Sequence, residues 1–353
     1  MKIAVDAMGG DHAPEHPVAG AVMAARELGA DVVLVGQEDR IREVLARHTA
    51  VPSISIVHAD EVIAMDEAPA TAVRRKRNSS IHVAAKLLRD GDVQGLVSAG
   101  NTGALMVTVK LYVGTITGVD RPALAVILPS RHGRTVLIDV GANVDPKSHQ
   151  LVQFAVMGSL FAQTILGLEY PRVGLLSIGE EAGKGTDLVR SAHAALAASP
   201  LNFLGNVEAR EIYSGDADVV VSDGFTGNVV LKTSEAVVET MLHLLREELT
   251  SSRRNMLGAR IARGAFRSYR GRVHYAEFGG APLLGARGLS VICHGRSSAR
   301  AIMNGIRVTM EYGQHAVNER IEEMLAGLDL READDLVEPT SPGADAPSRT
   351  HRV

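Results

Sequence analysis

The stretch RVGLLSIGEEAGKGTDL (172–188) decides how the rest of the chain is read. An apolar strand runs into a glycine-rich turn, a Gly-Lys pair and a helix start. A nucleotide-hydrolysing phosphate loop would carry glycine five positions before that pair and Ser or Thr directly after the lysine. Here Ile178 and Gly185 occupy those positions, so that class of loop is excluded. What remains is a flexible turn built on Gly183 and Gly185, the cation of Lys184 and a helix N-terminus, which together suit an anion.

The strand–turn–helix order recurs outward in both directions. Short apolar runs predict strands at 2–6, 31–36, 53–58, 95–100, 123–128, 135–141, 172–179, 203–208, 218–224 and 289–295. Most are separated by segments with apolar residues three and four apart. Runs without polar alternation, joined by helices, predict an α/β fold with a mostly parallel sheet covered on both faces. One α/β domain over residues 1–330 is expected, with a helical, arginine-rich excursion at 233–275. The polar, Pro-containing tail 331–353 reads as disordered.

Five strands end in similar loops: VDAMGGD, VSAGNTGA, IDVGANVD, LSIGEEAGKGT and VVSDGFTGN. Ligands of parallel α/β sheets bind beyond the carboxyl ends of strands, where these loops begin. One such loop is ordinary turn and capping chemistry. Five of matching polarity predict a shared site.

Composition narrows the function further. A net charge of −4 and only 3% aromatic residues give neither a basic field nor stacking platforms for nucleic acid. Cys293 is the single cysteine, which excludes disulfides within the chain and multi-cysteine metal sites. No apolar run approaches the length of a membrane span, and the N-terminus lacks the apolar core of a signal peptide.

Together, DAMGGDHAP (6–14), VRRKRNSS (73–80), SAGNTGAL (98–105), DVGANVD (139–145), LVQFAVMG (151–158), IGEEAGKGTDL (178–188), DGFTGNVVLKT (223–233) and GGAPLLG (279–285), with HG at 294–295, resemble the bacterial phosphate acyltransferases of phospholipid synthesis. The resemblance covers roughly residues 3 to 330. One departure is VDPKSHQL (144–151), where many members carry a cysteine, so no role for that cysteine carries over. The resemblance implies transfer of a long-chain acyl group from the thioester of acyl carrier protein to inorganic phosphate. It also implies a three-layer α/β/α sandwich like those of phosphotransacetylases and isocitrate dehydrogenases, and no cofactor. A cytoplasmic homodimer is expected, peripheral at the inner face of the membrane and in contact with the next acyltransferase of the pathway.

The residues suit that chemistry. Phosphate is already a charged nucleophile and a thiolate a tolerable leaving group, so positioning and oxyanion donors matter more than proton transfer. Lys184 is assigned as the main phosphate or oxyanion electrophile. Asp223, Asn228 and Lys232 are assigned to orienting the thioester and carbonyl. Gly9, Gly10, Asp11, Ser98, Asn101, Thr102, Asp139 and Asn143 are candidates for holding phosphate or shaping its loops.

Between Arg246 and Arg272, eight arginines face two acids. Arg253, Arg254, Arg260, Arg263, Arg267 and Arg270 are expected to meet an acidic partner, either carrier protein or anionic lipid. Gly258 and Gly264 would weaken a continuous helix there. Two metal or thiol patterns are set aside. HAPEH (12–16) needs both histidines on one helical face, which Pro14 in a glycine loop opposes, and neighbouring Cys293 and His294 on a strand would point apart. The alternatives are a coenzyme A-dependent phosphotransacylase for short acyl groups, a dehydrogenase sharing the fold but lacking its G-x-G-x-x-G fingerprint, and a non-catalytic membrane scaffold.

Overall fold

A computed structural model of the chain describes residues 1–266, 269 and 280–328. Arg267, Arg270 and the tail 331–353 lie outside the described residues. Among the described residues eleven strands form one sheet. They are β1 (Lys2–Asp6), β2 (Asp31–Gly36), β3 (Ile54–His58), β4 (Gly95–Ser98), β5 (Ala123–Ser130), β6 (Gly133–Ile138), β7 (Val173–Leu176), β8 (Phe203–Val207), β9 (Val219–Val221), β10 (Ala281–Leu284) and β11 (Leu289–Ile292). Their order is β3-β2-β1-β4-β11-β10-β5-β6-β9-β7-β8.

Ten strands match the apolar runs, and seven of the ten pairings are parallel. Several strands stop two or three residues before the apolar run suggested, because the backbone turns as soon as the Gly-containing loop begins. The sequence reading missed β10, whose four residues sit between glycines and include Pro282, a pattern that reads as a turn.

That short strand begins an antiparallel centre in the sheet, and the reversal between its halves is completed at the β5–β6 pair. β10 is antiparallel to both β11 and β5, and β5 is antiparallel to β6. The β1–β4 half with β11 therefore runs opposite to β6–β9. Ile292 at the end of β11 pairs with Ala281, Leu283 pairs with Leu124, and Ala125 pairs with Ile138 at the end of β6. The two halves, coming from opposite directions, thus end at nearly the same level along β5. Loops from both halves flank the β5–β10 ribbon.

Twelve α-helices accompany the sheet among the described residues, and all but α10 and the outer part of α9 pack on it: α1 (Glu15–Glu27), α2 (Glu38–Leu45), α3 (Pro69–Arg75), α4 (Ser80–Asp90), α5 (Thr102–Thr108), α6 (Ser148–Leu166), α7 (Asp187–Ala197), α8 (Glu211–Ser214), α9 (Gly224–Thr250), α10 (Arg253–Ile261), α11 (Ala299–Gln314) and α12 (Val317–Ala326). Strand residues alternate between two layers of core, as the period of two requires. Ile3, Val5, Val32 and Leu34 pack in a cluster with Val18 of α1 and Ile302 of α11. Ala4, Val33, Leu96, Leu137 and Val220 face the other side, in one cluster that runs through both halves of the sheet. Fully buried Phe154 and Phe161 of α6 anchor a third cluster on the β5–β9 side.

Candidate active site

A cavity of about 360 Å³ opens over the β5–β10 ribbon. Leu124, Val126, Leu128, Ala281 and Ile292 line it with apolar surface. Its polar groups come from both halves: Thr102 after β4, His294 after β11, Gly141 after β6, and Asn228, Lys232 and Glu235 from α9. On α9 the lining residues Asn228, Leu231, Lys232 and Glu235 are three, four and seven positions apart, one stripe of a helix. The spacing was visible in the sequence; that this stripe faces a cavity was not.

Buried polar residues build the loops. Ser98 donates to Asp6 Oδ2 at 2.7 Å, and the Met8 N–H donates to Asp6 Oδ1 at 3.1 Å. Burial pushes the Asp6 carboxyl above its ordinary value, against hydrogen bonds from Ser80 and Ser98 that pull it down. A methyl on Gly9 would lie 2.7 Å from both Asp6 Oδ2 and the Gly100 carbonyl oxygen, so only glycine lets the β1 and β4 loops meet. Gly10 adopts a φ of +88°, and the Asp11 N–H donates to the Gly295 carbonyl at 2.8 Å. Asn101 caps α5 through Ala104 N–H and donates to the carbonyls of Ala64, Met65 and Glu67.

Asp139 does the same on the β6 loop. Its Oδ1 accepts from the N–H groups of Leu124, Gly141 and Ala142, and its Oδ2 from the N–H and Nδ2 of Asn143. Burial raises the Asp139 carboxyl above its usual range, and these donors oppose the shift. Asn143 also donates to the Pro122 carbonyl at 2.9 Å. Ser98, Asn101, Asp139 and Asn143 are all buried with their hydrogen bonds directed to protein groups. These bonds shape the loops around the cavity.

Asp223 caps α9, accepting from Thr226 N–H at 2.8 Å and Thr226 Oγ1 at 2.7 Å. The Gly224 N–H donates to the Asn143 carbonyl at 2.7 Å, tying the helix start to the β6 loop. Lys232 pairs with Glu235 at 2.8 Å. Lys184 is exposed on the β7 loop and does not line the cavity. β7 pairs directly with β9, however, so its loop neighbours the start of α9. Lys184 has no ion-pair partner among the described residues, whereas nearby Glu180 is held by Arg210 at 2.7 Å.

Of the two residues set aside in sequence, Cys293 is buried and its thiol is pushed up to about 12 by desolvation. Cys293 and His294 both line the cavity. His16 Nδ1 bonds the Ser297 carbonyl at 2.9 Å.

Beyond Gly224 and Gly227, α9 has no buried residue, and α10 has none. The pair projects as a hairpin with Met241, Leu244, Met256, Leu257 and Ile261 exposed. Arg253, Arg254, Arg260 and Arg263 are exposed on it. Among the described residues no helix is long and apolar enough to cross a membrane.

A family profile described as "Fatty acid synthesis protein" matches residues 1–320. A phosphate acyltransferase of Acidobacterium capsulatum is 51% identical over 323 residues, covering 91% of this chain and 96% of its own. One from Pelotomaculum thermopropionicum is 47% identical over 333 residues, covering 94% and 97%. The chain belongs to the phosphate acyltransferase family. As a phosphate acyltransferase it forms acyl phosphate, and the profile ties it to fatty acid and lipid synthesis. The fold has its own relatives. A phosphotransacetylase of Streptococcus pyogenes superposes with a TM-score of 0.58 at 16% identity, over 89% of this chain and 93% of that one. A branched-chain phosphotransacylase of Enterococcus faecalis gives 0.56 at 16%, over 89% and 99%. At that identity the likeness is one of fold, and the α/β expectation holds.

Proposed function

We propose that the enzyme moves a long-chain acyl group from the thioester of acyl carrier protein onto inorganic phosphate. The observation that carries this reading is the cavity itself, an apolar floor of ladder residues beneath a polar rim. Such a division separates an aliphatic chain from a charged reaction centre, which an acetyl group would not need. The thioester carbonyl lies at the rim beside Asn228 and Lys232. Phosphate enters from the β7 side, where Lys184 has no ion-pair partner among the described residues and lies on the loop beside the α9 start. Lys232 is already neutralised by Glu235, which favours Lys184 as the anion ligand.

The test measures release of free carrier thiol from palmitoyl carrier protein, with and without phosphate, beside palmitoyl- and acetyl-coenzyme A. Phosphate-dependent release from the carrier is expected to exceed that from either coenzyme A thioester. Preference for acetyl-coenzyme A would sink the reading in favour of a short-chain phosphotransacylase. Lys184→Ala is expected to lower kcat/KM for phosphate about 30-fold, the scale of one lost hydrogen bond to a charged group. Normal turnover in that variant, with loss in Lys232→Ala, would move the role to Lys232.

The projecting α9–α10 hairpin is assigned to the anionic membrane, with exposed apolar side chains beside arginines. Reversing Arg253, Arg254, Arg260 and Arg263 to Glu is expected to abolish sedimentation with vesicles containing phosphatidylglycerol while leaving turnover in solution intact. Unchanged sedimentation would leave the hairpin to the carrier, to the expected homodimer contact or to the next acyltransferase.

A further inference from the structure

We propose that Ala281 sets the acyl chain length the enzyme accepts: its methyl is the low point of the cavity floor, and the chain lies in the groove it leaves. The inference rests on the acyl-transfer reading above and names the residue that gives it chain selectivity. Ala281 pairs with Ile292 across β10–β11, and Leu283 pairs with Leu124 across β10–β5. Continuing the second antiparallel register by two residues sets Ala281 level with Val126. Residues directly opposite in a sheet point to the same face, and all three line the cavity. The row therefore reads branched, small, branched, with one methyl between two larger side chains. Two residues further along the same face of β10, Leu283 is buried and no longer lines the cavity, so the groove ends there.

A helix packed on a sheet normally covers such a row with its own apolar stripe. α9 buries only Gly224 and Gly227, and it lines the cavity with Asn228, Leu231, Lys232 and Glu235, one apolar side chain among four. The apolar row beneath is left to a substrate. Its position is fixed by Gly280, which has a φ of +87° and where a methyl would lie 2.7 Å from the Ile292 carbonyl oxygen. That close approach sets where residue 281 emerges, so bulk added there goes into the groove. A cavity of about 360 Å³ is at the small end for a ligand pocket, and little of it can be given up.

The full-length enzyme is assayed for phosphate-dependent release of carrier thiol from palmitoyl and butyryl carrier protein, and the ratio of the two kcat/KM values is read. A butyryl chain has little to lay in the groove. Each methylene displaced from an apolar floor costs roughly fourfold in binding. Ala281→Val is therefore expected to lower the palmitoyl-to-butyryl ratio about 15-fold, and Ala281→Leu about 50-fold. Val126→Phe enters the groove from the neighbouring strand and is expected to lower the ratio at least tenfold, which keeps the test intact if the variants at 281 fail to fold. A merely structural defect lowers both substrates alike and leaves the ratio where it was. A ratio within threefold of wild type in every folded variant overturns the assignment while the acyl-transfer reading stands. A wild type that prefers butyryl to palmitoyl overturns both. A wild type inert towards carrier thioesters but active with coenzyme A thioesters defeats only the carrier reading, and the same ratio is then read on palmitoyl- and butyryl-coenzyme A.

Discussion

Gly227→Ala is expected to destabilise the protein by about 4 kcal/mol, at the far end of what one added methyl does in a packed interior. The new methyl would lie 1.9 Å from the Asp139 carbonyl oxygen and 2.7 Å from Ser222 Oγ. Neither neighbour can retreat cheaply. The Asp139 oxygen accepts from Ser222 Oγ, and Asp139 N–H and Ser222 N–H each bond across to the other strand's end. Relief must come from α9, which would lift away at its first turn. Because Asn228 and Lys232 lie on the next turn, acyl transfer should fall with stability. Urea unfolding and turnover on the same preparation would check both. A loss below 1 kcal/mol would mean that the helix start adjusts without moving its neighbours.

Asp139→Asn should cost about 3 kcal/mol although the side chain scarcely changes shape. Five N–H donors converge on the two carboxylate oxygens. An amide offers one oxygen and must turn its NH₂ towards either the three backbone donors or the Asn143 pair. Donors then face donors inside a buried loop, and at least two lose their partner. The unfolding midpoint in urea is the readout. A change within 0.5 kcal/mol would show that the loop admits water and is not sealed by this carboxylate.

The sequence made the layers legible because buried parallel strands are continuous apolar runs and leave a strong signal. It did not reveal β10 or the antiparallel centre that β10 forms with β5 and β6. The direction of a strand depends on its partners, and GGAPLLG carries too much turn chemistry to look like a strand at all. The same limit applied to the site. Polar residues after strands were found, but sequence could not separate those that face inward to build loops, such as Asp139, from those on the cavity wall, such as Asn228. His294 was passed over because strand alternation was applied beyond Ile292, where the ladder has already ended.

The position of β11 also bears on how the chain is made. Among the described residues it is the last strand in sequence, yet it fills the slot beside β4, with β10 between it and β5. During translation the open edges of β4 and β5 must therefore wait until the chain has emerged past Ile292. Until then neither half can hide its backbone, and the nascent protein depends on chaperones or speed to avoid pairing with strangers.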